Sequence, residues 1–156
     1  MPSFRLTALS PEPFRPLFDL GDDELAAMGA RRVVATHAPG FPCRVSLEDA
    51  APGEELLLLP YEHHSADSPY RASGPIYVRR GAVPRVPAPG ELPPYVTRRL
   101  ISWRAYDADG MMLAADVVDG AALGDELERR FGDERVAYVQ LHNAKPGCFS
   151  CQVVRA

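Results

Sequence analysis

Apolar residues in this chain recur mostly at every second position over short runs, the period of a half-buried strand. In two places they take the three-and-four spacing of an amphipathic helix. Residues 4–9 predict a first strand, after which Pro11, Pro13 and Pro16 hold the chain in a loop. Residues 22–28 predict a short helix: Asp22, Asp23 and Glu24 suit the positive end of its dipole, Leu25 and Met28 share a face, and Gly29 ends it. Residues 31–36 alternate, as do residues 43–47, where Cys43, Val45 and Leu47 fall on one side and Arg44 and Ser46 on the other. The turn Ala51-Pro52-Gly53-Glu54 leads into residues 55–61, whose four consecutive leucines predict a central strand buried on both faces. A polar loop over 62–74 and a strand over 75–80 follow. Residues 81–94 hold five prolines and two glycines and read as an exposed excursion joining two parts of one sheet. Pro93 and Pro94 then open a one-turn helix that ends near Leu100.

In the last third, residues 101–106 and 111–118 flank Asp107-Ala108-Asp109-Gly110, a hairpin turn in which Asp-Gly supplies positive φ angles. Residues 120–131 are the strongest helix, with Leu123, Leu127 and Phe131 on one stripe and Gly132 as the stop. Residues 136–142 and 149–155 close the chain as a strand pair around the loop 143–148. The expected fold is α+β. Residues 1–156 form a single domain with a mainly antiparallel sheet of about eight strands, two or three short helices and an exposed loop over 81–94.

Composition narrows the function classes. A chain of 156 residues, 46% of them hydrophobic, is long enough to bury one core. No apolar run approaches the ~18 residues of a membrane helix, so no membrane partner is expected. The opening Met1-Pro2-Ser3-Phe4-Arg5-Leu6 lacks the pattern of a secretory signal. The expected location is therefore cytoplasmic, with the three cysteines as reduced thiols. A net charge of −4 supplies no basic footprint for nucleic acid. Of the 17 basic residues only Lys145 is lysine, while alanine, proline, glycine and arginine abound. That skew follows GC-rich coding, so an arginine by itself says little here about phosphate binding.

The residues that could carry chemistry gather in two loops. His63 and His64 end the leucine-rich strand, and neighbours on an extended chain point to opposite faces. One is expected to pack, and the other to be solvated or to move a proton, since imidazole titrates near neutrality. Ser68 to Gly74 brings together Tyr70, Arg71 and Ser73, a combination suited to a carboxylate or other oxyanion. The same residues are also plain turn chemistry, with Arg71 pairing Asp67 or Glu62. His142 leaves its strand on the side of Gln140 and enters a loop that contains Asn143 and Cys148. Cys148 and Cys151 form a single C-x2-C. Zinc would need further paired ligands, and a redox pair would need a helix start rather than a strand, so neither metal nor cofactor is expected. Cys148 remains open as a nucleophile with His142 or as a small buried hydrophobe.

Four segments resemble the bacterial family catalogued as domain of unknown function 1203. They are Pro39-Gly40-Phe41-Pro42-Cys43-Arg44, Leu59-Pro60-Tyr61-Glu62-His63-His64, Ser68-Pro69-Tyr70-Arg71-Ala72-Ser73-Gly74-Pro75-Ile76 and His142-Asn143-Ala144-Lys145-Pro146-Gly147-Cys148. Arg104-Ala105-Tyr106-Asp107-Ala108-Asp109-Gly110 is a fifth. The resemblance runs nearly end to end and implies no activity, substrate or cofactor. Two readings of function follow. The first is a pocket for a small anionic molecule, formed where the two loops meet beside Arg44. Arg44, Tyr70, Arg71, Ser73 and Asn143 would hold the ligand there, and in the enzymatic form of the reading His63, His64, His142 or Cys148 would do chemistry. The second is a non-catalytic structural or assembly domain whose histidines and arginines order loops or a homodimer contact. The first requires His142 and at least one of His63, His64 and Arg71 to share one rim of the sheet.

Overall fold

The fold is described from a computed structural model over residues 2–156. Ten strands and three short helices follow one another along the chain: β1 (Phe4–Thr7), α1 (Asp22–Ala27), β2 (Arg31–Val34), β3 (Pro42–Cys43), β4 (Glu48–Asp49), β5 (Glu55–His64), β6 (Ala72–Arg79), α2 (Pro94–Thr97), β7 (Leu100–Tyr106), β8 (Met112–Asp119), α3 (Leu123–Phe131), β9 (Tyr138–Asn143) and β10 (Phe149–Arg155). The α+β class is as expected, but the strands form two five-stranded sheets rather than one. Their orders are β2-β5-β6-β3-β4 and β1-β10-β9-β7-β8. The proline-rich segment 81–94 thus joins two sheets. All pairings are antiparallel except β3 with β6.

Each sheet has its own apolar core. In the second sheet Ile101, Trp103 and Ala105 of β7, Val139 and Leu141 of β9, and Cys151 and Val153 of β10 face the stripe Leu123, Leu127 and Phe131 of α3. In the first sheet Leu57 and Leu59 of β5 and Ile76 and Val78 of β6 pack with Phe14, Phe18 and Leu25 from the N-terminal segment. Leu56 faces the other way, into a small cluster with Ala35 and Ala50. The leucine run is therefore buried on both faces, as its composition demands.

Three departures from strict alternation set up the junction between the sheets. Residues 43–47 are not one strand. After Cys43 the chain coils so that Leu47 N donates to Cys43 O at 3.0 Å, with Leu47 at φ 51°. Both sides of this segment are covered, so its alternation reflects no sheet face. In β10 a bulge separates Phe149 from Cys151, which turns Phe149 into the core of the first sheet while Cys151 stays under α3. The buried Tyr95 hydroxyl donates to Ser150 O at 3.0 Å, satisfying the carbonyl of the inserted residue. A third irregularity, between Tyr61 and His64, extends β5 through both histidines, so the connecting loop is shorter than the sequence suggests.

Two glycines, one just before α3 and one in its first turn, test this packing in opposite directions. A Cβ on Gly120 would meet Val96 O at 2.0 Å and Arg99 O at 2.8 Å, both backbone atoms of the α2 turn. Gly120→Ala is expected to cost about 1–3 kcal/mol in chemical denaturation, as overpacking does. A Cβ on Gly124 meets only Leu92 Cδ1 at 3.6 Å, an ordinary contact. Gly124→Ala is expected to stabilise by about 0.5–1 kcal/mol, since alanine loses less backbone freedom in a helix.

Candidate functional site

Arg44 sits where the two sheets meet, and it is the largest polar side chain in the interior, 1% exposed. Its Nε donates to Phe149 O at 2.8 Å and one terminal nitrogen donates to Pro42 O at 2.5 Å. The other terminal nitrogen lies 3.1 Å from Cys148 Sγ. Its backbone N–H bonds Tyr77 O and its carbonyl accepts from Leu9, so the residue is fixed at both ends. No carboxylate of the described residues pairs with this buried guanidinium. Two carbonyl dipoles and one sulfur are its partners, whereas a buried charge usually has an opposite charge beside it.

A cavity of about 410 Å³ opens beside Arg44. Its walls come from the chain around Gly40 and Pro42, from Tyr77 of β6, from Arg98, Arg99 and Leu100 between α2 and β7, and from the β9–β10 turn. That turn is held by Asn143 N to Cys148 O at 2.9 Å and Gly147 N to Asn143 O at 2.8 Å. It needs Gly147 at φ 81°, a left-handed angle at which a side chain is strained. Arg44, Arg98, Arg99 and Lys145 make four cations, and no acidic residue lines the cavity among the described residues. Behind the wall, Asp49, whose side chain is almost wholly buried, accepts from both Arg98 and Arg99. One carboxylate is thus shared by two guanidiniums, leaving an excess of positive charge in a chain of net charge −4. Asn143, 4% exposed, lines the same cavity with its Oδ1 unpartnered and its Nδ2 4.0 Å from Cys148 Sγ.

The histidines form a neighbouring cluster behind this turn. His63 and His142 are edge to face with ring centroids 4.9 Å apart, and His63 stacks on Phe149 at 5.4 Å. The expectation that His142 shares a rim with one of the first-loop residues is met by this pair. His142 Nδ1 donates to Gly147 O at 3.2 Å, and its Nε2 is buried with no partner. Burial, with Arg104, His63 and Arg44 nearby, lowers the His142 pKa from 6.5 to about 3. Burial also lowers that of His63, against a 3.2 Å bond to Gln140 Oε1. His64 is a structural latch: Nδ1 donates to Tyr70 O at 2.9 Å, Nε2 pairs with the Tyr138 hydroxyl at 2.6 Å, and the ring stacks on Tyr106 at 4.1 Å.

The nine residues singled out from the sequence therefore divide. Arg44, Asn143 and Cys148 line the cationic cavity. His63 and His142 form the adjoining pair, and His64 ties down the Tyr70 carbonyl. Arg71 does not join them: it lies on the surface in a pair with Glu62 at 3.3 Å. Ser73 lines a separate shallow depression with Gly74 and Pro75 on the far side of β6. The expected convergence of Tyr70, Arg71 and Ser73 on the Arg44 pocket does not occur, because β5 and β6 stay paired out to His64 and Ala72 and carry that loop away. Arg98, Arg99, Tyr77 and Asp49 were not singled out from the sequence, since an arginine pair in an arginine-rich chain carries no local signal. Lys145 did carry one, as the single lysine of the chain.

Fold and site together define a two-sheet α+β domain with a cationic cavity at the seam between its sheets. A family model described as "Protein of unknown function (DUF1203)" matches residues 40–155, and the chain belongs to that family. The match takes in every residue that lines the cavity and both members of the histidine pair. No curated protein and no solved structure matches the chain significantly.

Two measurements probe the histidine cluster. Folded His142 stays unprotonated where the unfolded chain takes up a proton, so its contribution to stability is present above pH 6.5 and is lost as pH falls toward about 3. Urea titrations across that window should show a loss with an upper limit of about 5 kcal/mol from this group, and His142→Asn should flatten that slope. Tyr138→Phe removes the hydroxyl that pairs with buried His64 Nε2 and is expected to cost about 1–3 kcal/mol at neutral pH.

Proposed function

We propose that this domain binds a small anionic molecule, a carboxylate or phosphate compound, in the cavity beside Arg44. The observation that carries the reading is the concentration of Arg44, Arg98, Arg99 and Lys145 around one concave site with a single shared carboxylate behind it. An anion offers what such a site lacks. Guanidinium forks match carboxylate and phosphate oxygens, and low-dielectric walls strengthen the attraction. Asn143 adds an amide with an open hydrogen-bonding valence, and Tyr77 and Leu100 add apolar wall for the body of the ligand. A cavity of about 410 Å³ is of metabolite size. A purely structural role for the charged loops predicts that their side chains pair off. Arg71 and Glu62 do so, whereas Arg44 and Lys145 have no carboxylate partner among the described residues.

Thermal unfolding in inorganic phosphate and in citrate tests the reading. Ligand at ~100 times its dissociation constant stabilises by about 2.7 kcal/mol, a readily measured shift. Lys145→Ala and Arg98→Ala, both at the open wall, should lose most of that shift while the proteins remain folded. Phosphate also stabilises many proteins through exclusion from their surface. An equal shift in the parent and both variants would therefore be that general effect and would end the proposal. Arg71→Ala serves as the control: its exposed pair with Glu62 is worth less than about 1 kcal/mol, and the ligand response should be unchanged.

A further inference from the structure

We propose that Cys148 is a nucleophile at the base of this cavity, and that the domain transfers the acyl group of a small anionic acyl compound through a thioester on that residue. The proposal rests on the anion-binding reading and gives it a chemistry. Of the three free cysteines, Cys43 and Cys151 are buried in apolar cores, whereas Cys148 is partly exposed and lines the cationic cavity. Its sulfur faces a guanidinium nitrogen of Arg44 at 3.1 Å, an arrangement in which sulfur is the acceptor. Reactive cysteines occupy electropositive, partly exposed surroundings of this kind, while structural ones are buried and inert.

The second observation is independent of the cysteine. Asn143 is enclosed in the same wall, yet its Oδ1 has no hydrogen-bond partner, and such a group normally finds one. The wall of the cavity therefore holds a polar group that the protein itself leaves without a partner. Asn143 and Arg44 also flank Sγ, with donor nitrogens at 4.0 and 3.1 Å. They are the groups that a negative oxygen on an attacked carbon would meet, and fixed donors at such an oxygen are the largest single contribution in many acyl transfers.

The step balances without a further reagent. Cys148 gives its thiol proton to solvent, and the freed sulfur pair forms a bond to the acyl carbon. The C=O π pair moves onto oxygen beside Arg44 and Asn143. When it returns, the leaving group departs with the bonding pair and takes a proton from solvent, and the acyl group stays on Sγ as a thioester. Water or a second acceptor then releases it by the same addition and elimination. Arg98, Arg99 and Lys145 hold the anionic end of the substrate, which makes a carboxylated or phosphorylated acyl compound the favoured class. No hydrogen bond joins His142 to Cys148 among the described residues, since its Nδ1 donates to Gly147 O and its Nε2 has no partner, so the proton is given to solvent.

Two esters of 4-nitrophenol provide the test: the mono-ester of adipic acid, whose free carboxylate is too far along the chain to displace the phenolate readily, and the neutral acetate. Nitrophenolate release is followed by absorbance, and the acylated residue is located by peptide mass spectrometry. The expected result is a burst of about one equivalent with the acyl group on Cys148. The adipate ester should react at least about tenfold faster relative to acetate than it does with a simple thiol, as attraction to a cationic cleft produces. Cys148→Ser should abolish the burst, and Lys145→Ala should lower the preference for the adipate ester. Absence of acylation on Cys148, or an undiminished burst in Cys148→Ser, overturns the nucleophile while leaving the phosphate shift to judge anion binding. Acylation of Cys148 at the same relative rate by both esters overturns the anionic substrate class instead.

Discussion

The buried guanidinium of Arg44 is the interaction on which the rest of this structure turns. It lies at the seam of two sheets that otherwise keep separate apolar cores, and its bonds reach Pro42 on one side and Phe149 and Cys148 on the other. Taking such an ion out of water costs several kcal/mol, and hydrogen bonds to a charged group return about 1.5–3 kcal/mol each. The chain must therefore hold those partners in place or leave the charge unsupported. That requirement explains the local irregularities around it. The coil after Cys43 sends the side chain inward, the β10 bulge turns Phe149 toward it, and Gly147 lets the β9–β10 turn close over it.

The same requirement makes the cavity. Once Arg44 fixes the β9–β10 turn against the β3 segment, the α2–β7 connection forms the remaining wall. Its two arginines are oriented from behind by Asp49, and Arg99 also bonds Tyr95 O at 2.7 Å. Positive charge thus accumulates around a concavity for structural reasons, with no acidic side chain among the described residues in its wall. The histidine pair on the other side of the turn contributes differently. Burial and nearby arginine charge disfavour the protonated form of His63 and His142, whose rings pack with Phe149 beside the turn.

Much of the architecture was legible in the residues. The Leu123, Leu127 and Phe131 stripe specified α3, the Asp-Gly turn specified the β7–β8 hairpin, and the leucine run specified a strand covered on both faces. These features depend on contacts between near neighbours or on burial alone, so local pattern suffices to read them. Of the site, His63, His142, Asn143, Cys148 and Arg44 were distinguishable as polar groups placed among strongly apolar strands.

Tertiary structure alone decided which of these groups meet. One-residue bulges at Ser150 and before His64 reverse the facing of everything beyond them, and no periodicity announces an inserted residue. The division into two sheets depends on where strand edges pair, which is a non-local choice that the proline-rich segment permits but does not make. Arg71 and Arg98 are equivalent as local sequence, each an arginine in a connecting segment. One is a surface partner of Glu62 and the other lines the cavity, because β6 carries the first outward while α2 folds the second back beside Asn143. Which residues carry charge is written in the chain; where that charge is concentrated, and what is left without a partner, is set by how the sheets meet.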